Sequence, residues 1–142
     1  MNSQYSIAVH ILTLLDSSPG PMGSVEIADS VGVNPVVIRT VTGLLRRAGL
    51  LTTQRGVAGA ELTRPARQIS LLDVYRAVDA PDSVLKVHQK PNLACPVGAG
   101  IQGALEDIYG QAQAALEARL AEVTLADITR AVHQAASQQQ VS

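Results

Sequence analysis

The stretch that determines the fold is residues 24–47, SVEIADSVGVNPVVIRTVTGLLRR. Its first part predicts a short helix, which Ser24 can cap and Gly32 can end. Its second part predicts another helix, with Asn34 as the cap and Pro35 in the first helical position, where the missing N–H costs nothing. We therefore expect two short helices joined by a tight turn.

The spacing of small and apolar residues in this stretch meets the steric demands of a helix-turn-helix. Two helices that cross closely need a small residue at their contact and a glycine in the turn, and Ala28 and Gly32 occupy these places. A single match of this kind would be weak, but the apolar residues agree with it throughout. Five of them fall on the side that should be buried: Ile27, Val31, Val33, Ile38 and Val41.

The flanking sequence extends this motif into a winged helix. Residues 50–54 and 60–63 are rich in Thr and Leu and enclose a glycine-containing loop, which predicts a β-hairpin. Ser70 and Asp73 have the spacing of a capping box. The predicted fold class is mainly α with a small β-hairpin wing. Apolar periodicity and turn residues predict further helices at about 5–15, 71–78, 96–122 and 125–136, a short strand at 84–88 and a frayed tail from 137.

The net charge of the chain is −1, but the charges are unevenly distributed. Residues 39–67 carry six arginines against one glutamate, a net charge of +5, whereas the segments before and after each carry −3. Arginine can donate two parallel hydrogen bonds to a phosphate or a guanine. The cluster is either a solvated surface or, as we favour, a surface for an anionic partner.

The outward face of the second helix offers candidate base-reading residues. A recognition helix lies in the major groove with its N-terminal residues toward the base edges. There Arg39 can read guanine, while Val36 and Val37 can contact only thymine methyl groups. Alternatively, the two valines pack against a neighbouring helix. Asn34, Pro35 and Thr40 complete the base-facing candidates.

Other arginines are candidate backbone contacts. Arg46 and Arg47 lie at the far end of the helix, where they can bind phosphates and also favour the helix dipole. Arg55, at the tip of the predicted hairpin, can enter a minor groove. Each arginine alone is compatible with a plain surface charge, but together they indicate DNA as the partner.

Residue counts argue against several protein classes. A single cysteine cannot form an internal disulfide, and with three histidines it makes an all-protein zinc or iron–sulphur site unexpected. The sequence contains neither an apolar run of about 18 residues nor the basic start of a signal peptide, so we expect a cytoplasmic protein without a membrane partner. No nucleophile–base pair, metal-ligand set or phosphate loop predicts an enzyme or a cofactor.

Five motifs stand out along the chain: YSIA at 5–8, the helix-turn-helix, LLRRAGL at 44–50, RGVAG at 55–59 and ISLLDVY at 69–75. Together they resemble the Rrf2 family of bacterial winged-helix regulators over nearly the whole chain. The resemblance implies a homodimer that pairs through the long C-terminal helix and binds a partly palindromic double-stranded DNA operator. By position, Val36 and Arg39 match base-facing places, and Arg55 matches a wing arginine of the minor groove.

The resemblance also implies a division of the chain into two parts. At two places, however, this sequence departs from the family pattern. Residues 1–80 would form the DNA-binding domain, and residues 81–142 the linker and dimerisation helices. The iron–sulphur branch has three clustered cysteines before the long helix, whereas only Cys95 stands there, so no cluster is expected. Ala60 follows Gly59 where a glycine pair is common. Residues 34–39, NPVVIR, and 91–98, PNLACPVG, resemble the cluster-free, YwnA-like branch.

Cys95 has two interpretations. It precedes Pro96 at a helix N-terminus, where exposed N–H groups favour the reactive thiolate, so it can serve as a redox or electrophile sensor. Alternatively, it is a small buried thiol packed under the long helix. Free cysteines are often buried, which favours the second interpretation.

The sequence thus predicts a dimeric, sequence-specific DNA-binding transcription regulator that acts as a repressor and responds to thiol chemistry if Cys95 is a sensor. The alternative is a winged-helix module for protein interaction, with the Val36–Val37 face as its contact. Salt dependence separates the two, because binding through phosphates weakens steeply as salt rises. The operator sequence and the effector are not readable from the residues.

Overall fold

Six α-helices and one β-hairpin form within residues 3–53, 59–78 and 84–141, the part of the chain that the computed structural model describes. By contacts the chain divides into two units, Met1–Ala80 with Ala121–Ser142, and Pro81–Leu120. The predicted fold class, mainly α with a hairpin wing, is confirmed. The elements are α1 (Gln4–Ser17), α2 (Ser24–Val31), α3 (Pro35–Arg47), β1 (Leu51–Thr53), β2 (Ala60–Leu62), a 3-10 turn (Ala66–Gln68), α4 (Leu71–Ala77), α5 (Pro96–Glu122) and α6 (Leu125–Val141).

The helix-turn-helix is built by local backbone signals. Gly32 ends α2 in the left-handed conformation at φ 79°, and its N–H donates to the Ala28 carbonyl at 2.8 Å. The Asn34 side chain caps α3 by accepting from the Val36 N–H at 2.9 Å. The expectation that Ser24 caps α2 is wrong by one residue, since Gly23 takes the cap position and Ser24 is already helical.

The core of the first unit is aliphatic and contains the inward face of both helices. Ile27, Ala28, Ile38 and Val41 are buried, and Val31 and Val33 pack against them, as the apolar spacing predicts. Helix α1 completes the core with Ala8, Ile11 and Leu12, none of which is exposed. Because α3 buries one side so completely, its opposite side is presented outward.

The wing is a short antiparallel hairpin that is secured at its base. In its register Leu51 faces Leu62 and Thr53 faces Ala60. Ala60 also exchanges two backbone hydrogen bonds with Met22, at 2.8 and 3.1 Å. A Cβ on Gly59 would lie 2.8 Å from the Met22 backbone, and Gly59 has φ 110°, so this position requires glycine. The predicted hairpin tip, residues 54–58 with Arg55, lies outside the described residues.

Two capping boxes organise the rest of the first unit. Ser70 and Asp73 exchange side-chain and backbone hydrogen bonds at the start of α4, as predicted, and Thr124 and Asp127 do the same at the start of α6. Between them, the Leu71 N–H donates to Val123 and the Leu125 N–H to Ile69, each at 2.8 Å. Leu125 is fully buried, so α6 begins inside the core.

The second unit consists of a loop and most of α5. The predicted strand at residues 84–88 is wrong, because this segment pairs with no other strand among the described residues. Side chains of α5 hold it instead: the Val84 N–H donates to Gln113 Oε1 at 2.9 Å, and Gln102 Nε2 donates to the His88 carbonyl at 3.1 Å. A loop can satisfy its backbone in this way when no strand neighbour exists.

The last helix of the chain is longer than the sequence predicts. Helix α6 continues to Val141, so the frayed tail expected from residue 137 is instead helical as far as the structure describes it. No helix among the described residues has both the length and the apolar character needed to cross a membrane.

The division into a DNA-binding domain to residue 80 and dimerisation helices from 81 stays a prediction. Residues 121–142 group with the first unit.

Candidate nucleic-acid interface

The outward side of α3 carries the predicted base-facing residues. Arg39 and Thr40 are exposed, and Val36 and Val37 expose 61% and 37% of their surface. Val36 is mostly uncovered within the described part of the chain, which argues against the packing alternative there, whereas Val37 is more than half covered. The contact of both valines with bases stays a prediction. We call the surface formed by Val36, Val37, Arg39 and Thr40 the recognition face.

Polar groups of the recognition face and of the turn before it form hydrogen bonds with the helix backbone. The oxygen of Asn34 is held by the Val36 N–H, as described above. The Thr40 hydroxyl donates to the Val36 carbonyl at 3.1 Å, one turn earlier. Pro35 is partly buried in the first turn. These side chains therefore shape the start of α3.

The arginines of the basic segment divide into two groups. Arg39, Arg46 and Arg47 are exposed on α3 and form no ion pair with any residue that the structure describes. Arg64 differs, because its guanidinium lies 3.6 Å from the Asp73 carboxylate and its Nε donates to the Gln68 carbonyl at 3.1 Å. Sequence reasoning counted Arg64 with the basic cluster and missed that it ties the wing exit to α4.

The C-terminal end of α3 carries positive charge that suits it to bind anions. Arg46 and Arg47 stand in the last turn, where positive charge complements the helix dipole. No acidic residue occurs anywhere in α3. An exposed helix face with three cations and no acid can take a polyanion without like-charge repulsion.

Cys95 is exposed, so the buried interpretation is wrong. The backbone N–H groups of Gly98 and Val97 donate to its sulphur and lower the pKa of the thiol. A tight turn precedes it: the Ala94 N–H donates to Asn92 Oδ1 at 3.0 Å, and the Cys95 N–H to the Asn92 carbonyl at 3.2 Å. The thiol is thus both accessible and biased toward the thiolate.

Gly98 is a residue that sequence reasoning missed. A Cβ at this position would overlap the carbonyl oxygen of Asn92, so only glycine lets the turn close over the first turn of α5. The signal was present as a glycine three residues after Cys95. The need for glycine arises only because the Asn92 carbonyl lies against Gly98, and no local sequence pattern reveals that contact.

The family model Rrf2, described as an iron-dependent transcriptional regulator, matches residues 1–131. The chain belongs to the Rrf2 family. It is 44% identical over 128 residues to YwnA of Bacillus subtilis (strain 168), an HTH-type transcriptional regulator whose assignment is provisional; the match covers 90% of this chain and 96% of YwnA.

Solved structures of Rrf2-type regulators share the fold. A crystal structure of a protein provisionally assigned to DNA binding is 42% identical and matches with a TM-score of 0.73, covering 89% of this chain and 98% of that one. CymR (YrzC), the global cysteine regulator of B. subtilis, matches at 20% identity with a TM-score of 0.70, covering 92% and 95%. At that identity the likeness concerns the fold alone. The relatives are transcriptional regulators and not enzymes.

The family description mentions iron, but the described residues offer no set of ligands for it. The sequence has one cysteine. Within the described residues, no three His, Cys, Asp or Glu side chains come together as metal ligands. Iron and iron–sulphur clusters need several such ligands at once. These residues therefore do not fit an iron site.

Proposed function

We propose that this Rrf2-family regulator is a homodimeric, sequence-specific DNA-binding repressor that works in the cytoplasm. The observation that carries the proposal is α3, whose outward side combines the recognition face with Arg46 and Arg47. The face supplies groups for base edges, and the two arginines supply phosphate contacts that fix its register on the duplex. Arg55 is proposed to follow the minor groove, by its predicted place in the wing.

The dimer is proposed from the apolar side of α5. This helix has 27 residues, a length of about 40 Å. Ile108 and Leu116 expose 58% and 37% of their surface. Apolar side chains in a row along an exposed helix favour a second copy as the cover, in a two-fold arrangement that also suits a palindromic operator. The row consists of Ile101, Leu105, Ile108, Ala112, Leu116 and Leu120.

Repression is proposed because it requires only that the protein bind DNA. A winged helix bound across a promoter blocks polymerase by occupancy alone, whereas activation needs a second surface for polymerase. Thiol control is proposed from Cys95, whose exposure and lowered pKa suit oxidation or a mixed disulfide. Oxidation would change DNA affinity.

Binding to the DNA upstream of its own gene tests the proposal. Fluorescence anisotropy of labelled duplex should show tight binding that weakens steeply with salt. Arg47→Ala should weaken binding to all sequences and lower the salt slope by about one, whereas Arg39→Ala should relax base preference. Arg130→Ala, an exposed arginine of α6, removes the same charge away from α3 and is the matched control.

A winged helix that recognises only protein would give other results. Its DNA binding would be absent, or equally weak on all duplexes. A reporter driven by the same upstream region should fall when the protein is expressed; a rise would contradict the repressor assignment and leave DNA binding intact.

A further inference from the structure

The recognition face is unusually apolar for a surface that meets DNA. Val36 and Val37 are among the exposed large hydrophobic residues of the first unit, and Val36 is the more exposed of the two, at 61% against 37%. Exposing two valines at the start of a surface helix brings no benefit to folding. Their placement calls for an apolar partner group.

The polar residues beside the valines are already occupied. Adenine is read by an amide that donates and accepts at the same time. The Asn34 oxygen is engaged with the Val36 N–H, so in this conformation the amide does not offer that pair freely. The Thr40 hydroxyl donates its proton to the Val36 carbonyl, so it has no proton to offer to a base, and the threonine methyl adds a further apolar group beside the valines. Arg39 remains as the one charged donor of the recognition face.

The major groove offers one apolar group to such a surface. It is the C5 methyl of thymine, which apolar side chains and the threonine methyl can contact. Valine is well suited to this contact because its side chain is held in one rotamer in a helix and loses little entropy on binding. Cytosine lacks the methyl group, but 5-methylcytosine carries it at the same place.

We propose that α3 reads thymines by their C5 methyl groups, through Val36, Val37 and the methyl of Thr40, around a guanine read by Arg39. This inference rests on the proposed function, since it states which base chemistry the DNA-binding helix recognises. It goes further because it assigns discrimination to methyl contact instead of hydrogen bonding. A consequence is that 5-methylcytosine should replace thymine at a contacted position better than cytosine does.

The test uses the full-length protein and duplexes selected from a random library. Each thymine of the selected half-site is replaced in turn by deoxyuridine, which differs only by the missing methyl. We expect affinity to fall about threefold to tenfold at each contacted thymine and to stay unchanged elsewhere. At those positions a 5-methylcytosine·guanine pair should bind more tightly than an unmethylated cytosine·guanine pair.

Variants connect the discrimination to the named residues. Val36→Ala, Val37→Ala and Thr40→Ser each remove methyl groups, and Thr40→Ser keeps the hydroxyl. Each should remove the thymine-over-uracil preference at its own position, as a double-substitution cycle between protein and DNA would show. Val132→Ala on α6, a valine 49% exposed, should leave every preference intact and is the matched control.

The outcomes separate this inference from the proposed function. Selective, salt-dependent binding without any thymine-over-uracil preference would overturn methyl recognition and leave the DNA-binding function standing. A preference that survives all three variants would also overturn it, because another element would then read the methyl. If the library yields no enriched sequence, both the proposed function and methyl recognition fail.

Discussion

At the residue scale, Tyr5 shows how one side chain joins two elements. Its hydroxyl donates to the Leu71 carbonyl at 3.0 Å, and its ring meets Tyr75 edge-on, with centroids 5.6 Å apart. Burial, with a smaller contribution from Tyr75, raises the pKa of Tyr5 to about 12. The neutral phenol is therefore the form that the fold stabilises.

This pKa predicts a specific loss of stability in alkali. The folded pKa lies above the value of about 10 for an unfolded chain, so the contribution is complete below pH 10 and is lost as pH rises through 12. Tyr5→Phe should cost about 1 kcal/mol at neutral pH, through the lost hydrogen bond. Urea unfolding from pH 8 to 12 should show the gap between wild type and variant closing; a constant gap would contradict the assignment.

A second residue-scale prediction concerns Cys95. Because Gly98 and Val97 donate to its sulphur, the thiol should react with alkylating agents at a lower pH than an ordinary cysteine. Gly98→Ala should abolish this shift, since the new Cβ overlaps the Asn92 carbonyl and opens the turn. Gly100→Ala meets no atom within 4 Å and should leave the reactivity unchanged.

The role of the thiol in regulation is tested on the same protein. Peroxide or diamide should change operator affinity in the wild type and not in Cys95→Ser. An equal response of both proteins would remove the sensor hypothesis. Non-reducing electrophoresis would distinguish a disulfide between subunits from a mixed disulfide with a small thiol.

At the element scale, the helix starts were predictable and the loop before α5 was not. The caps at Asn34 and Ser70 follow from signals within three residues, and the structure has both. Residues 84–88 are predicted as a short strand but have no neighbouring strand among the described residues. The side chain of Gln113, 29 residues along the chain, accepts the Val84 N–H instead. The exposure of Cys95 likewise depends on distant packing, so its residue type alone suggested burial.

One substitution should have opposite effects in two elements. Gly43 lies inside α3 with nothing within 4 Å of an added Cβ, so Gly43→Ala should stabilise the fold by about 0.5–1 kcal/mol. Gly59→Ala at the wing base should instead destabilise it by more than 1 kcal/mol, since the Cβ meets the Met22 backbone at a positive φ. Urea midpoints of both variants would measure this.

The Gly43 position also bears on DNA binding. It follows Thr40 by one turn on the outward side of α3, so an added methyl stands between helix and duplex if the two approach closely. We expect Gly43→Ala to bind the operator more weakly although it is the more stable protein. A gain in both properties would show that this turn stands away from DNA.

At the scale of the whole molecule, the near-neutral charge of −1 conceals a basic surface. The positive segment includes α3 and the wing, and a dimer would present it twice on one operator. Sequence reasoning reached the family and the outward side of α3 because both depend on short-range patterns. It could not separate Arg64 from the other arginines, because the Asp73 partner is a tertiary contact.

The dimer prediction belongs to this scale. Ile108→Glu places a charge in the apolar row of α5 and should convert the dimer to monomer, with operator affinity falling at least tenfold. Ala114→Glu adds the same charge on the opposite side of α5 and should remain dimeric. Light scattering after size exclusion measures the mass, and circular dichroism confirms that both variants stay helical. A dimeric Ile108→Glu protein would refute this interface.

The two backbone hydrogen bonds between Met22 and Ala60 bear on the tendency of the protein to aggregate. They pair one residue of β2, Ala60, so the free edge of that strand is partly closed, and both strands of the hairpin are only three residues long. Open edges are where sheets add foreign strands and begin to aggregate, and short edges resist this. The described base of the hairpin, with its short and partly closed strands, should therefore resist pairing with the hairpins of other molecules.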